Sequence, residues 1–131
     1  MLAKIGSKFP RIKVLVVHPS KHIRDRIAEF IEKTFACKVT TTTNIQRAIN
    51  KLEYAANNGG PNAKFYVVIS AYDIADPDTG LGDQGPVLVD YIRKNPLLSN
   101  IQIILEEAGH RVTEIAANAF VPTLDKMEHL A

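Results

Sequence analysis

"KFYVVISAYDIAD", Lys64 to Asp76, is the stretch on which the reading of the fold turns. Phe65 to Ile69 is a short, unbroken apolar run with β-branched residues, the pattern of a buried strand. It runs out through Ser70, Ala71 and Tyr72 into a loop rich in Asp and Gly. Strand ends of this kind are where open α/β sheets hold their chemistry. The residue at that mouth, Ala71, carries no functional group.

Outward from this stretch the chain alternates strand and helix. "IKVLVV" (Ile12–Val17) is another short β-branched run, which implies a strand buried on both faces. "HPS" breaks it, and Ser20 is a good N-cap for the segment that follows. There Ile23, Ile27, Phe30, Ile31 and Phe35 recur at helical spacing. "CKVTTTT" (Cys37–Thr43) is β-branched but polar and fits a strand near the sheet edge. Ile45, Ala48, Ile49 and Leu52 mark an amphipathic helix that stops near "NNGG" (Asn57–Gly60). "KFYVVIS" is the third strand. After a long loop, Gly85–Pro86 opens a helix running to Asn95, since proline fits a first turn. "IQIIL" (Ile101–Leu105) reads as a fourth strand, His110–Ala119 as a short helix, Ala119–Pro122 as a fifth strand, and Thr123 onward as a brief last helix. Such alternation implies a parallel sheet covered on both faces, with right-handed connections.

The 131 residues fit one domain, and 46% hydrophobic with 23% charged residues is ordinary for a soluble globular protein. A net charge of +2 is too small to argue for nucleic acid. The one local excess is Lys4, Lys8, Arg11 and Lys13, which reads as a solvated tail over 1–11, with a phosphate-contacting arm as the alternative. Residues 12–131 form the domain, and the brevity of the last helix is compatible with a piece of a longer chain. Cys37 stands alone, which excludes a disulfide framework or a zinc cluster and points to a reducing compartment. With no apolar run of membrane length and no signal-peptide core, the sequence reads as cytoplasmic.

Taken together, the first strand with "HPSKHIRDRI", "VVISAYDI" at the third, "IIL" at the fourth and "AANAFVPTL" resemble the receiver domain of bacterial response regulators, over nearly the whole chain from Ile12. The resemblance implies a flavodoxin-like (CheY-like) doubly wound sheet of five parallel strands in the order 2-1-3-4-5. It also implies a two-component signalling role within a phosphorelay. In that family an acidic pair after strand 1 helps hold Mg²⁺, an Asp at the end of strand 3 accepts phosphate, a Ser or Thr ends strand 4, and a Lys, usually followed by Pro, ends strand 5. The chemistry needs each: oxygens for the metal, a carboxylate nucleophile, and cations to neutralise the phosphoryl oxygens.

Here the corresponding positions carry His18 and Pro19, Ala71, Glu106, and Thr123 followed by Leu124. Ala71 is not a nucleophile and Pro19 offers no ligand atom, so the expectation is a pseudo-receiver that is not phosphorylated, is not an enzyme and has lost Mg²⁺. Phe120 matches the family's switch aromatic, and Glu106 is expected to fill the space beside Ala71 and hold one switch state. His18, Asp73 and Glu106, with Glu107 nearby, are the weak candidates for a divalent metal. A His18–Glu106 hydrogen bond or ion pair is the plainer expectation, and it would raise the histidine's pKa.

The loop Asp73–Gly85 carries Asp73, Asp76, Asp78 and Asp83 but has neither EF-hand nor P-loop spacing, so it reads as a surface loop shaping a binding face. Cys37 reads as a small core residue, His22 as solvated, and Tyr66 and Tyr72 as packed at or beside the end of strand 3. The expected partner is a protein, either another signalling domain or a second copy in a homodimer, with no nucleic acid and no membrane. The alternative from another class is a sensor whose altered pocket binds a small ligand or divalent metal. A third, a DNA-associated regulator, would need a DNA-reading helix that these residues do not contain.

Overall fold

The computed structural model describes residues 13–35, 37–58, 64–75, 79–80, 82 and 84–106. The basic tail, the helix expected at His110–Ala119, the strand at Ala119–Pro122 and the last helix all lie outside the described residues.

Seven elements follow in order: β1 (Lys13–Val17), α1 (Lys21–Phe35), β2 (Lys38–Thr42), α2 (Ile45–Asn58), β3 (Phe65–Ala71), α3 (Gly85–Lys94) and β4 (Gln102–Glu106). Among the described residues the sheet is four-stranded and parallel, in the order β2-β1-β3-β4. That is the first four strands of the expected order; the fifth falls on residues outside the description. β3 runs through Ala71, one residue past the expected strand, and β4 covers Gln102–Glu106, one residue later at each end than expected.

Alternation along the strands splits the core in two. Leu15, Val17 and Val68 face Ile45, Ala48 and Leu52 of α2 and Leu88 and Ile92 of α3. Val14, Val16, Val67 and Ile69 face Ile27, Ile31 and Phe35 of α1. β1 and β3 are therefore buried on both faces, which is why they read as continuous apolar runs. β2 lies at an edge and is only partly covered, which its threonines tolerate.

One irregularity interrupts the sheet. Lys13 pairs with Phe65, but Val14 pairs with Val67, so Tyr66 is an extra residue on β3. Such a bulge re-aims the side chains around it. Phe65 thereby joins the α2/α3 side of the core while Val67 lies on the α1 side, and Tyr66 turns out to 42% exposure. The expectation that Tyr66 packs at or beside the end of β3 is thus corrected: it is the second residue of the strand, at the opposite end, and the bulge turns it outward.

Helices α1 and α2 begin on side-chain caps, and α3 begins without one. Ser20 Oγ accepts from the Ile23 amide at 3.4 Å, as its position suggested. Asn44 does the same for α2, accepting from the Arg47 amide at 2.9 Å. Tyr91 of α3 donates a hydrogen bond to Glu53, tying α3 to α2 on the outer side.

Candidate functional site

Because β1, β3 and β4 are parallel and in register, their C-terminal ends form one row. Val17 pairs with Ser70 and Ser70 with Leu105, so the next step brings His18, Ala71 and Glu106 side by side. Three of the positions singled out in the sequence thus meet at one edge. The side chain of Glu106, together with Glu107, Phe120, Thr123 and Leu124, lies outside the described residues.

At the end of β1 the chain closes on itself. The His18 amide donates to the Thr42 carbonyl at 3.1 Å, which extends the β1–β2 pairing by one step. The Ser20 amide donates to His18 Nδ1 at 3.0 Å. A ring nitrogen that accepts cannot carry a proton, so the neutral ring holds its hydrogen on Nε2. Arg24, one turn into α1, reaches back and donates from Nη1 to the carbonyls of His18 (2.9 Å) and Pro19 (3.4 Å). His18 is 9% exposed, and burial lowers its pKa below the ordinary 6.5, with the Arg24 charge acting in the same direction. The shift is opposite in sign to the rise that a carboxylate partner would give, and the Glu106 side chain expected to supply that partner lies outside the described residues. Pro19 is exposed and contributes only its carbonyl.

At the end of β3, Ser70 is fully buried and its hydroxyl donates to the Ala71 carbonyl at 3.0 Å. Ala71 is 4% exposed and belongs to the apolar cluster with Val17, Ile74 and Leu88. Tyr72 is half-buried just past the strand, in keeping with a rim position. The loop then returns: the Gln84 amide donates to the Ile74 carbonyl at 2.9 Å and the Gly85 amide to the Tyr72 carbonyl at 3.0 Å. A Cβ on Gly85 would lie 2.5 Å from the Ala71 carbonyl oxygen and 2.7 Å from Tyr72 Cα, so only glycine lets α3 seat on the strand end. Asp73 is exposed, and Asp76, Asp78 and Asp83 fall outside the described residues.

These residues do not suit a Mg²⁺ ion in the family's manner. Where an acidic pair would stand, His18 turns a ring nitrogen to a backbone amide and Pro19 has no ligand atom. Among the described residues, no group of three or more His, Cys, Asp or Glu is placed to hold a metal ion. Nor is any described helix long and apolar enough to cross a membrane. Cys37 is buried, as expected for a core residue, and burial pushes its thiol up to about 11, which keeps it protonated and inert. His22 is exposed.

The arrangement defines a class by fold: a doubly wound α/β domain with a parallel sheet. Solved structures of similar architecture include a sensor protein from Polaromonas sp. JS666, with a TM-score of 0.66 and 14% identity over 93% of this chain and 100% of that one. The N-terminal domain of a response regulator receiver protein from Methanoculleus marisnigri JR1 matches with a TM-score of 0.56 and 17% identity, over 86% of this chain and 77% of that one. The chemotaxis response regulator CheY4 of Vibrio cholerae matches with a TM-score of 0.57 and 19% identity, over 90% of this chain and 96% of that one. At these identities the likeness is one of fold. No protein-family model and no curated protein matches the sequence.

Proposed function

We propose that this chain is a receiver-like signalling domain of two-component type that is not phosphorylated, takes up no Mg²⁺ at the strand ends, and acts through contact with another protein. The observation that carries this reading is Ala71. Its methyl group stands where the fold presents a nucleophile, buried in an apolar cluster and roofed by the start of α3. The turn at His18 supports it, since the ring is engaged with its own loop. A domain of this kind catalyses nothing and signals by the surface it presents, in the cytoplasm and without nucleic acid.

The test is incubation of the purified chain with acetyl phosphate and Mg²⁺, followed by intact mass and peptide mapping. The expected result is no stable gain of one phosphate. The variant Ala71→Asp should stay equally unmodified, because a new carboxylate there gains neither an acidic partner at His18 and Pro19 nor a metal. Phosphate mapped to residues 64–76 of the unaltered chain would sink the reading.

A further inference from the structure

The opposite end of the sheet carries a second feature, independent of the lost phosphorylation chemistry. A cleft of ≈ 200 Å³ opens between the C-terminal half of α2 and the segment joining α3 to β4. Its floor is apolar and buried: Leu52 is 1% exposed, Phe65 7% and Leu98 3%. Its rim carries Tyr66, Leu97 and Lys64. Leu97, at 56% exposure, and Tyr66 are two of the four large apolar side chains left exposed among the described residues. The bulge builds this cleft, since it sends Phe65 to the floor and Tyr66 to the rim.

Charge says what would fill it. Lys21, Lys33 and Lys94 each hold an acid one helical turn away, but Lys64 has no carboxylate within ion-pair reach among the described residues. No acid lines the cleft. Behind its floor, the Lys13 ammonium lies 4.7 Å from the centroid of the Phe65 ring, and Lys38 is Lys13's register partner. The cleft is thus a socket with one ammonium and no acid on its rim, of about the volume of one apolar side chain, since an apolar cavity of roughly 150 Å³ takes a benzene. A nucleic acid would instead need a track of cations with successive stacking faces.

We infer that this cleft docks an acidic peptide segment of a partner protein, with one branched or aromatic apolar side chain inserted over Phe65 and an adjacent carboxylate on Lys64. The inference goes beyond the proposed function and does not depend on Ala71.

The test is an amide NMR titration of the full chain with the capped peptide Ac-Glu-Asp-Leu-Asp-Gly-NH₂. Saturable shifts are expected at Lys64 to Tyr66 and Leu97 to Ile101, and not at His18 to Ser20. Lys64→Glu and Leu97→Ser are changes at exposed positions that keep the dispersed spectrum, and each should weaken binding by about fivefold or more. Replacing the peptide's leucine by alanine should do the same. Any of four results overturns the inference: no saturable shift; equal binding of a peptide with lysines in place of the acids; equal response to a short oligothymidylate; or peptide-free shifts at these residues that grow with protein concentration, which would make a second copy the occupant. Loss of this binding would leave the acetyl phosphate result untouched, so the two readings fail separately.

Discussion

His18 Nδ1 accepts the Ser20 amide, and that bond commits the ring to its neutral form. Protonation would turn the acceptor into a donor facing a donor, beside the Arg24 guanidinium and largely out of water. The folded ring therefore gives up its proton more readily than the ordinary 6.5, and the unfolded chain binds more protons as the pH falls. Its contribution to stability is complete above about pH 6.5 and is lost as the pH drops below that toward the folded-state value. Urea unfolding at successive pH values from neutral to mildly acidic should show the midpoint falling. In His18→Asn, whose side-chain oxygen can accept the same amide without titrating, that fall should shrink. An undiminished fall would mean that other groups set it. No sequence pattern gave the direction of this shift: a histidine near glutamates reads as raised, and only the fold reveals that burial and Arg24 come first.

Among the elements, the junction of β3 with α3 is the tightest. Gly85 starts the helix with its α-carbon against the last carbonyl of the strand, so a methyl there meets backbone and not a yielding side chain. Gly85→Ala should destabilise the fold by roughly 1–3 kcal/mol or more, as overpacking does, read as a lower midpoint in denaturant with an unchanged slope. An equal or higher midpoint would mean that the helix can lift off at no cost. The elements themselves were legible. The β-branched runs gave β1 and β3, the polar threonines marked β2 as an edge, and Ser20 capped α1 as its position suggested. The bulge was not legible, because nothing in "KFYVV" distinguishes a residue that pairs from one that is passed over. The cap at Asn44 follows directly on the threonines of the edge strand, whose β-branched pattern masks the start of α2. The site was legible as a row of positions, His18, Ala71 and Glu106, but not as a set of contacts, since register aligns backbones and leaves burial to decide what each side chain does.

At the scale of the molecule, the sheet is a partition. Leu52, Leu98, Ile101, Leu88 and Ala71 share one cluster, while Ile27, Ile31 and Phe35 belong to the other. Double-mutant cycles should register this. Leu52→Ala with Ile101→Val, both lining the cleft, should couple by about 0.5 kcal/mol or more. Leu52→Ala with Ile31→Val, on opposite sides, should add within about 0.5 kcal/mol. Coupling of similar size in both pairs would mean that the strands transmit packing changes as freely as direct contact does. The floor of the cleft and the seat of Ala71 are on the same side, so an event at one pole has a packed route to the other that bypasses α1.

The residue that breaks the register also furnishes part of the rim of the cleft. Were Tyr66 taken into the pairing in simple alternation, it would face α2 and α3, and Phe65 would face α1. Passing over this one residue keeps the Phe65 ring on the α2/α3 side, opposite Lys13, where it would also lie if Tyr66 were absent. Pairing from Val14 and Val67 onward stays as it was, and so does the pairing of β3 with β4. Deleting Tyr66 should therefore leave the sheet and the Phe65 floor in place and remove only the tyrosine from the rim. A rim residue can in this way be gained by a change in length, with no substitution in the core.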